Sequence, residues 1–299
     1  MISGRLASGH QAMTYELGDV RMRTYVITGG SDGIGRGLGL HLLGRGERVI
    51  AIASGAAKGA AFLTDAARID AADRAFFLQA DLSTLAGMNR AIEATVTIST
   101  VVDGLVLGAQ RFQPHRVETV DGLEFTFALA YLSRFVLARG LLAALERAAA
   151  TPVIMNISSP GGPSGTVHWD DLQLNRRYKG MRAALQSARC NDLLGADFPV
   201  RHPAARTRYV LHNPGFVRTS QPESFPEPMR TLSKTLARWF ATSVDRAILP
   251  MVERLDEPPA APFSAFLRAR RLPLTTKAFA PESAARLESL TSSILASKT

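Results

Sequence analysis

The sequence has little cysteine, no long apolar run and fewer acidic than basic residues, and each shortage excludes a class of protein. Its 299 residues include one cysteine, Cys190, which excludes an intramolecular disulfide and a cluster of thiolate ligands. We therefore predict no metal site and a reducing, cytoplasmic location. The apolar runs fall short of the roughly 20 residues that span a bilayer, so we expect no membrane partner.

The surplus of positive charge narrows the choice of ligand. The formal net charge of +9 favours anions. The arginines are scattered along the chain and are not interleaved with aromatic residues, as they are in many nucleic-acid surfaces. This pattern predicts a small anionic cofactor or substrate and no nucleic-acid partner, although a soluble basic surface explains the charge equally well.

Apolar strand-like runs alternate with alanine- and leucine-rich helical stretches from Thr24 onward. This alternation is typical of βαβ units around a parallel sheet. It predicts one doubly wound, Rossmann-type α/β domain with six parallel strands. The strands are expected in the segments TYVITGG, RVIAIAS, RAFFLQADL, VDGLVLGA, PVIMNISS and RTRYVLHNPG.

The remaining stretches predict how the domain is bounded and covered. Residues 1–22 lack the apolar segment of a signal peptide, and we expect a disordered leader followed by a single domain over 23–299. The apolar stretch 124–150 predicts one long helix buried against the sheet. A proline-rich stretch after the sixth strand predicts a substrate-covering segment around 218–245. A final amphipathic helix is expected over 281–296, where a proline suits the first turn.

The segment TGGSDGIGRG follows the first predicted strand and opens a helix. The spacing of Gly29, Gly33 and Gly35 lets a backbone turn tightly and approach a pyrophosphate at the helix N-terminus. The alternative is a tight strand-to-helix turn that binds nothing.

The end of the second strand predicts which dinucleotide is preferred. Many NAD-binding proteins hold the ribose 2′-hydroxyl there with a carboxylate. This chain has Ser54 and Gly55 instead, followed by Lys58. A 2′-phosphate could bind among Ser54, Lys58 and Arg36, so NADPH is favoured and NADH stays possible. Alternatively, both cations are ordinary solvated helix charges.

Four motifs occur in the order typical of one family: the glycine turn at 28–35, ADL at 80–82, MNISS at 155–159 and NPGFVRT at 213–219. Together they resemble the short-chain dehydrogenase/reductase family. The resemblance implies that the adenine lies between Asp81 and Leu82. It implies further cofactor contacts along the glycine turn, after the fourth strand and after the sixth: Thr28, Gly29, Ser31, Gly33, Ile34, Gly35, Ala109, Pro214, Gly215, Val217 and Thr219.

The acid of that family is absent from its expected place. The stretch 170–178 is similar to the retinol-dehydrogenase-like branch, and aligning that branch with AALQSARCN puts Ala184 at the tyrosine position and Ala188 at the lysine position. Ala130 takes the place of the helper asparagine, and Ser159 alone remains as a catalytic candidate. The other candidate proton donors are Tyr131, His168, Tyr178 and Arg182.

A third source of the proton is the substrate itself. A phenolic or enolic hydroxyl beside a ketone could pass on its proton as a hydride arrives. This pattern resembles the atypical short-chain ketoreductases that act on angucyclinones in actinobacterial antibiotic pathways. It implies an NADPH-dependent ketoreductase for a polycyclic aromatic polyketide. A nucleotide-binding pseudoenzyme and a redox-neutral cyclase or lyase remain alternatives, and the oligomeric state stays open.

Overall fold

The computed structural model describes residues 21–162, 165–217 and 242–298. An eight-stranded sheet forms the centre of this part of the chain. The strand order is β3-β2-β1-β4-β5-β6-β7-β8, and all pairs are parallel except β7 with β8. The strands are β1 Thr24–Thr28, β2 Arg48–Ala53, β3 Ala75–Gln79, β4 Gly104–Leu107, β5 Val153–Ile157, β6 Arg208–Asn213, β7 Phe263–Leu267 and β8 Arg270–Arg271. This arrangement confirms the predicted Rossmann-type class.

Helices cover both faces of the sheet, which explains why its central strands are apolar on both sides. One face packs against α1 Gly33–Gly44, α2 Ala56–Arg68 and α8 Val244–Asp256. The other face carries the remaining helices: α3 Leu85–Ile98, α4 Phe125–Phe127, α5 Ser133–Gly140, α6 Leu142–Glu146, α7 Gly180–Arg201 and α9 Pro281–Ala296.

The helix expected over 124–150 is buried as predicted but is not continuous. A π-helical turn, Ala128–Leu132, separates α4 from α5, and α6 follows after Leu141. A π-helical turn leaves a backbone carbonyl without its usual helical partner. The carbonyl of Ala130 instead accepts a hydrogen bond from Asn191 Nδ2 at 2.8 Å. The break in the helix is therefore satisfied by a side chain of α7.

All six predicted strands are confirmed, whereas β7 and β8 were not predicted. Strand β7 has the short sequence FSAFL between a proline-rich segment and an arginine cluster, and β8 has two exposed residues. Such runs carry little periodicity. The final helix is confirmed over Pro281–Ala296. Residues 1–20 of the expected leader and 218–241 of the expected covering segment lie outside the described residues.

Helix α9 packs on the outer side of α5 and α7. Glu288 of α9 pairs with Arg139 of α5 and Arg201 of α7, with N–O distances of 2.9 and 2.8 Å. The hydroxyls of Tyr131 and Thr291 lie 2.8 Å apart. Along the described ranges, no helix combines the length and apolar character that crossing a membrane requires.

Candidate functional site

The sheet order reverses between β1 and β4, and ligands of open α/β sheets bind at the carboxyl ends of the strands beside such a point. Thr28, at the end of β1, ties these two strands together. Its Oγ1 accepts hydrogen bonds from the Gly108 and Ala109 amides at 3.0 and 3.2 Å. This edge of the sheet, called the crevice below, contains the strand ends on which most of the predicted site residues lie.

The glycine turn forms the wall of the crevice next to β1. Gly29 has φ +71° and Gly33 has φ +51°, in the left-handed region that favours glycine. A Cβ on Gly35 would lie 2.4 Å from the Gly29 carbonyl oxygen. Ile34 is partly buried and packs against the hydrophobic core between α1 and the sheet. Ser31 is buried. The backbone of the turn is therefore closely packed on itself.

The two cations predicted to hold a 2′-phosphate already have carboxylate partners. Lys58 Nζ donates to Asp32, and Arg36 donates to Asp65. The side chains of Lys58 and Arg36 are 61% and 38% exposed, and exposed pairs of this kind contribute only about 0–1 kcal/mol. A bound phosphate could therefore replace either carboxylate as the partner.

Other predicted cofactor residues occupy the ends of β2 and β3. Ser54 directly follows β2, and its carbonyl accepts from Gln79 Nε2 at 3.3 Å. Asp81 uses its carboxylate locally, because Oδ1 accepts from the amide and hydroxyl of Ser83 at 3.0 and 2.7 Å. Leu82 is buried in the core. These ends lie on the same side of the reversal point as the glycine turn.

The residues after β6 line the opposite side of the crevice. Gly215 has φ +81°, and its amide donates to Asn213 Oδ1 at 2.8 Å. A Cβ at Gly215 would lie 2.5 Å from Arg268 Nε. Pro214 precedes this turn, and Val217 forms a parallel bridge with Thr242. Thr219 lies outside the described residues.

Ser159 follows β5 and is exposed at the crevice edge. Its neighbour Ser158 differs, because its hydroxyl is buried and has no hydrogen-bond partner among the described residues. The amide of Ser158 donates to the His212 carbonyl of β6 at 3.0 Å. The exposed position of Ser159 leaves its hydroxyl accessible to a ligand.

Ala184 and Ala188 lie on α7, both half-buried. Their spacing with Asn191 puts the three residues on one face of the helix. Asn191 uses that face to reach the Ala130 carbonyl. The alanines therefore share the face of α7 that carries Asn191, and neither side chain can donate a proton.

Of the four alternative proton donors, the structure removes one from the crevice and gives hydrogen-bond partners for the other three. Tyr131 was a wrong candidate, because its ring is buried and its hydroxyl meets Thr291 of α9, outside the crevice. Tyr178 donates to the Gln113 carbonyl at 3.0 Å, and burial raises the pKa of its phenol. Arg182 donates to the Arg177 carbonyl at 3.0 Å. The His168 amide donates to Gln186 Oε1 at 2.9 Å.

A buried polar network lies beneath the crevice and was not predicted. Asn156 Nδ2 of β5 donates to Asn191 Oδ1 and to the Tyr209 hydroxyl, both at 2.9 Å. Arg134 of α5 donates to Asn156 Oδ1, and to the Ile157 carbonyl at 2.7 Å. The signal that could have revealed it is one arginine within the apolar stretch YLSRFVLA.

The loop after β5 is fastened to α7. Arg189 donates to the carbonyls of Gly162 and Gly165 at 2.6 and 3.0 Å. Asp192 Oδ2 accepts from Arg189 and from the Gly161 amide at 2.9 and 3.1 Å. Burial nevertheless raises the pKa of the Asp192 carboxyl to about 7, because desolvation exceeds the effect of Arg189. The segment following Ser159 is therefore hydrogen-bonded, through the Gly161 amide, to a carboxyl whose pKa lies near neutral pH.

Asp192→Asn is expected to change the pH dependence of stability. The folded-state pKa of about 7 exceeds the ordinary value of 3.8. Between these values the folded chain holds a proton that the unfolded chain has lost, so the free energy of unfolding falls as pH rises. As pH rises from about 5 to about 8, the free energy of unfolding of the variant should increase by roughly 2–3 kcal/mol relative to that of wild type. Urea unfolding at each pH measures this difference.

The control for this experiment is Asp171→Asn. Backbone hydrogen bonds from Arg176 and Asn175 lower the pKa of Asp171 despite partial desolvation. Removing that carboxylate should make the variant less stable than wild type at neutral pH, and this difference should shrink in acid. A difference between wild type and Asp192→Asn that does not vary with pH would contradict the assignment to Asp192.

Comparison with known proteins yields one family. The model described as short chain dehydrogenase matches residues 23–170. A protein of Streptomyces sp. (strain C5), provisionally named a daunorubicin C-13 ketoreductase, is 31% identical over 199 residues, covering 66% of this chain and 67% of that protein. Retinol dehydrogenase 14 of Homo sapiens is 26% identical over 211 residues, covering 66% of this chain and 62% of that protein. The chain thus spans less than two thirds of the human relative.

Solved structures share the fold over most of this chain. An uncharacterised protein from Mycobacterium paratuberculosis has a TM-score of 0.70 and 24% identity, covering 91% of this chain and 92% of that one. The NADPH-bound carbonyl reductase from chicken fatty liver has a TM-score of 0.63 and 16% identity, covering 85% and 99%. At these identities the likeness shows the fold alone.

The parallel sheet with its glycine turn and helices on both faces defines a Rossmann-type α/β protein. Taken with the relatives, it places the chain in the short-chain dehydrogenase family.

Proposed function

We propose that the protein is an NADPH-dependent ketoreductase that takes the proton for its product from the substrate. One observation carries the proposal. The crevice keeps its glycine turn and strand ends, while the face of α7 that resembles the family's acid position holds Ala184 and Ala188. A reductase that keeps its cofactor-binding turn but lacks the family's acid needs a substrate that can itself donate the proton.

The residues of the crevice fit a dinucleotide. The closely packed turn at Gly29 and Gly35 brings backbone amides to the start of α1, where an anionic pyrophosphate is favoured. One of them, the Gly33 amide, donates to the Asp32 carboxylate at 2.7 Å. Ser54, Lys58 and Arg36 would hold a 2′-phosphate, which would replace Asp32 and Asp65 as partners of the two cations. Asp32 would keep the hydrogen bond from the Gly33 amide, and Asp65 would keep its pair with Arg68. Support for NADPH comes from the chicken carbonyl reductase, whose structure is NADPH-bound. When bound, NADPH supplies the hydride for the carbonyl carbon.

The protein's own residues then orient the ketone. The Ser159 hydroxyl, exposed beside the crevice, donates a hydrogen bond to the ketone oxygen. Loss of a general acid costs a factor of roughly 10²–10⁴ in rate. Holding two reactants in near-attack geometry is worth roughly 7–11 kcal/mol, so reduction survives the loss. A hydroxyl adjacent to the ketone gives its proton to the carbonyl oxygen. This transfer recovers part of the rate that is lost with the general acid.

The proposed substrate is a polycyclic aromatic polyketide of the angucyclinone type, in which hydroxyl groups stand beside ketones. The Streptomyces relative supports this class, because its provisional name specifies a ketone of daunorubicin. In lacking the tyrosine and lysine of the family, the chain also resembles the angucyclinone ketoreductase of simocyclinone biosynthesis. An antibiotic pathway is therefore the proposed setting.

The test is a nucleotide titration followed by turnover. Purified protein is titrated with NADPH and NADH, then given aromatic ketones with and without an adjacent hydroxyl while nicotinamide absorbance is followed. We expect tighter binding of NADPH and oxidation of NADPH with the hydroxylated ketones. Tight binding without turnover on any ketone would favour a pseudoenzyme. Product formation without nucleotide would favour a redox-neutral cyclase or lyase.

A further inference from the structure

Arg134 is the largest fully buried side chain among the described residues, with a relative exposure of 1%. It projects from α5 toward the ends of β4 and β5. Its guanidinium donates to Asn156 Oδ1, to the Ile157 carbonyl at 2.7 Å and to the Ala109 carbonyl at 3.4 Å. All these acceptors are neutral. An arginine is thus enclosed by the strand ends that form the floor of the crevice.

No carboxylate among the described residues pairs with Arg134. Every ion pair found in the described ranges involves other cations, and Arg134 Nε has no hydrogen-bond partner there. Burial lowers the pKa of the guanidinium to about 10, so the group stays charged at neutral pH. Burial of an unpaired charge is costly.

The position of this charge within the crevice indicates which part of a dinucleotide it faces. The glycine turn after β1 and the residues after β2 and β3 form the adenosine side of the reversal point. Ala109 follows β4, and Ile157 ends β5, on the other side. A nicotinamide and a ketone bound on that side would therefore lie nearest the guanidinium of Arg134.

We propose that Arg134 is a positioning residue that fixes the ends of β4 and β5 and supplies the positive field at the nicotinamide end of the crevice. This inference rests on the proposed function. The field favours negative charge on the ketone oxygen. It would supply positive charge that Ala188, at the family's lysine position, cannot. It also disfavours the positively charged ring of NADP⁺ relative to the neutral ring of NADPH. Because the guanidinium lies beneath the floor, it acts through the field and the backbone and not by contact with substrate.

The field can be measured without turnover. Dissociation constants of NADP⁺ and NADPH are determined for wild type, Arg134→Met, Arg134→Lys and Arg134→Gln. Loss of the charge should improve NADP⁺ binding relative to NADPH about tenfold, as expected for charges separated by several ångströms in a partly buried site. Arg134→Lys should keep the wild-type ratio. The uncharged Arg134→Gln, which retains an amide donor for the Ile157 carbonyl, should behave like Arg134→Met.

The matched control is Arg139→Met on the same helix, whose guanidinium pairs with Glu288 away from the crevice. It should leave the ratio unchanged. If Arg134→Met does not fold, as judged by its melting curve, Arg134→Gln and Arg134→Lys still give the comparison. Equal ratios in wild type and the uncharged variants would overturn the role of Arg134. Wild-type protein that binds neither nucleotide would instead contradict the proposed function itself.

Discussion

Gly35→Ala should raise the dissociation constant for NADPH by about 100-fold or more. The new methyl group would lie 2.4 Å from the Gly29 carbonyl oxygen and 3.0 Å from its carbon. Both atoms belong to backbone, so the turn must move, and overpacking of this kind costs about 1–3 kcal/mol of stability. Under the proposed function, the displaced segment is the one that approaches the pyrophosphate. Nucleotide titration with a parallel melting curve measures both effects.

Gly44→Ala is the control for this prediction. Gly44 ends the same helix, and a Cβ there would meet no heavy atom within 4 Å. Alanine should be neutral or stabilise α1 by up to about 1 kcal/mol, with unchanged NADPH binding. If Gly35→Ala binds NADPH within threefold of wild type, the glycine turn is not the pyrophosphate site.

Ala184→Tyr should create activity on ketones that lack a neighbouring hydroxyl. Ala184 is half-buried on α7 at the position that resembles the family's tyrosine, so under the proposed function a phenol there would reach the ketone. A positioned general acid contributes roughly 10²–10⁴ in rate. We expect a gain of about 10–100-fold in kcat/KM, the lower part of that range, because Ala188 provides no lysine to assist the phenol.

Ala184→Phe separates acidity from shape. It fills nearly the same volume but has no proton to give, so it should not speed these ketones. Turnover of hydroxylated ketones by wild type serves as the reference. Equal gains in the Tyr and Phe variants would show that packing and not proton supply limits the wild-type reaction.

The central fold could be predicted from sequence because its signal is local. Continuous apolar runs such as those of β1 and β5 read directly as buried parallel strands. Strands β7 and β8 lacked that signal, and β8 exists only through its pairing with β7. The break at Ala128–Leu132 was equally hidden, because the Asn191 amide that satisfies it lies 61 residues away along the chain.

The candidate site was predictable only where residue type determines backbone shape. The tight turn predicted from the glycine spacing is present, with positive φ at Gly29 and Gly33, and Gly215 of the NPG motif also has positive φ. Side-chain partners were not predictable in the same way. Lys58 and Arg36 turned out to pair with Asp32 and Asp65, and the position of Arg134 depends on three segments that meet only in the folded chain.

One matched pair of ketones tests the account most directly. NADPH oxidation is followed with an aromatic ketone that carries an adjacent hydroxyl and with the analogue in which hydrogen replaces that hydroxyl. The account predicts a kcat/KM at least about 100-fold lower for the analogue, the usual cost of losing an acid. Equal values for both ketones would contradict it and would place the proton donor in the protein.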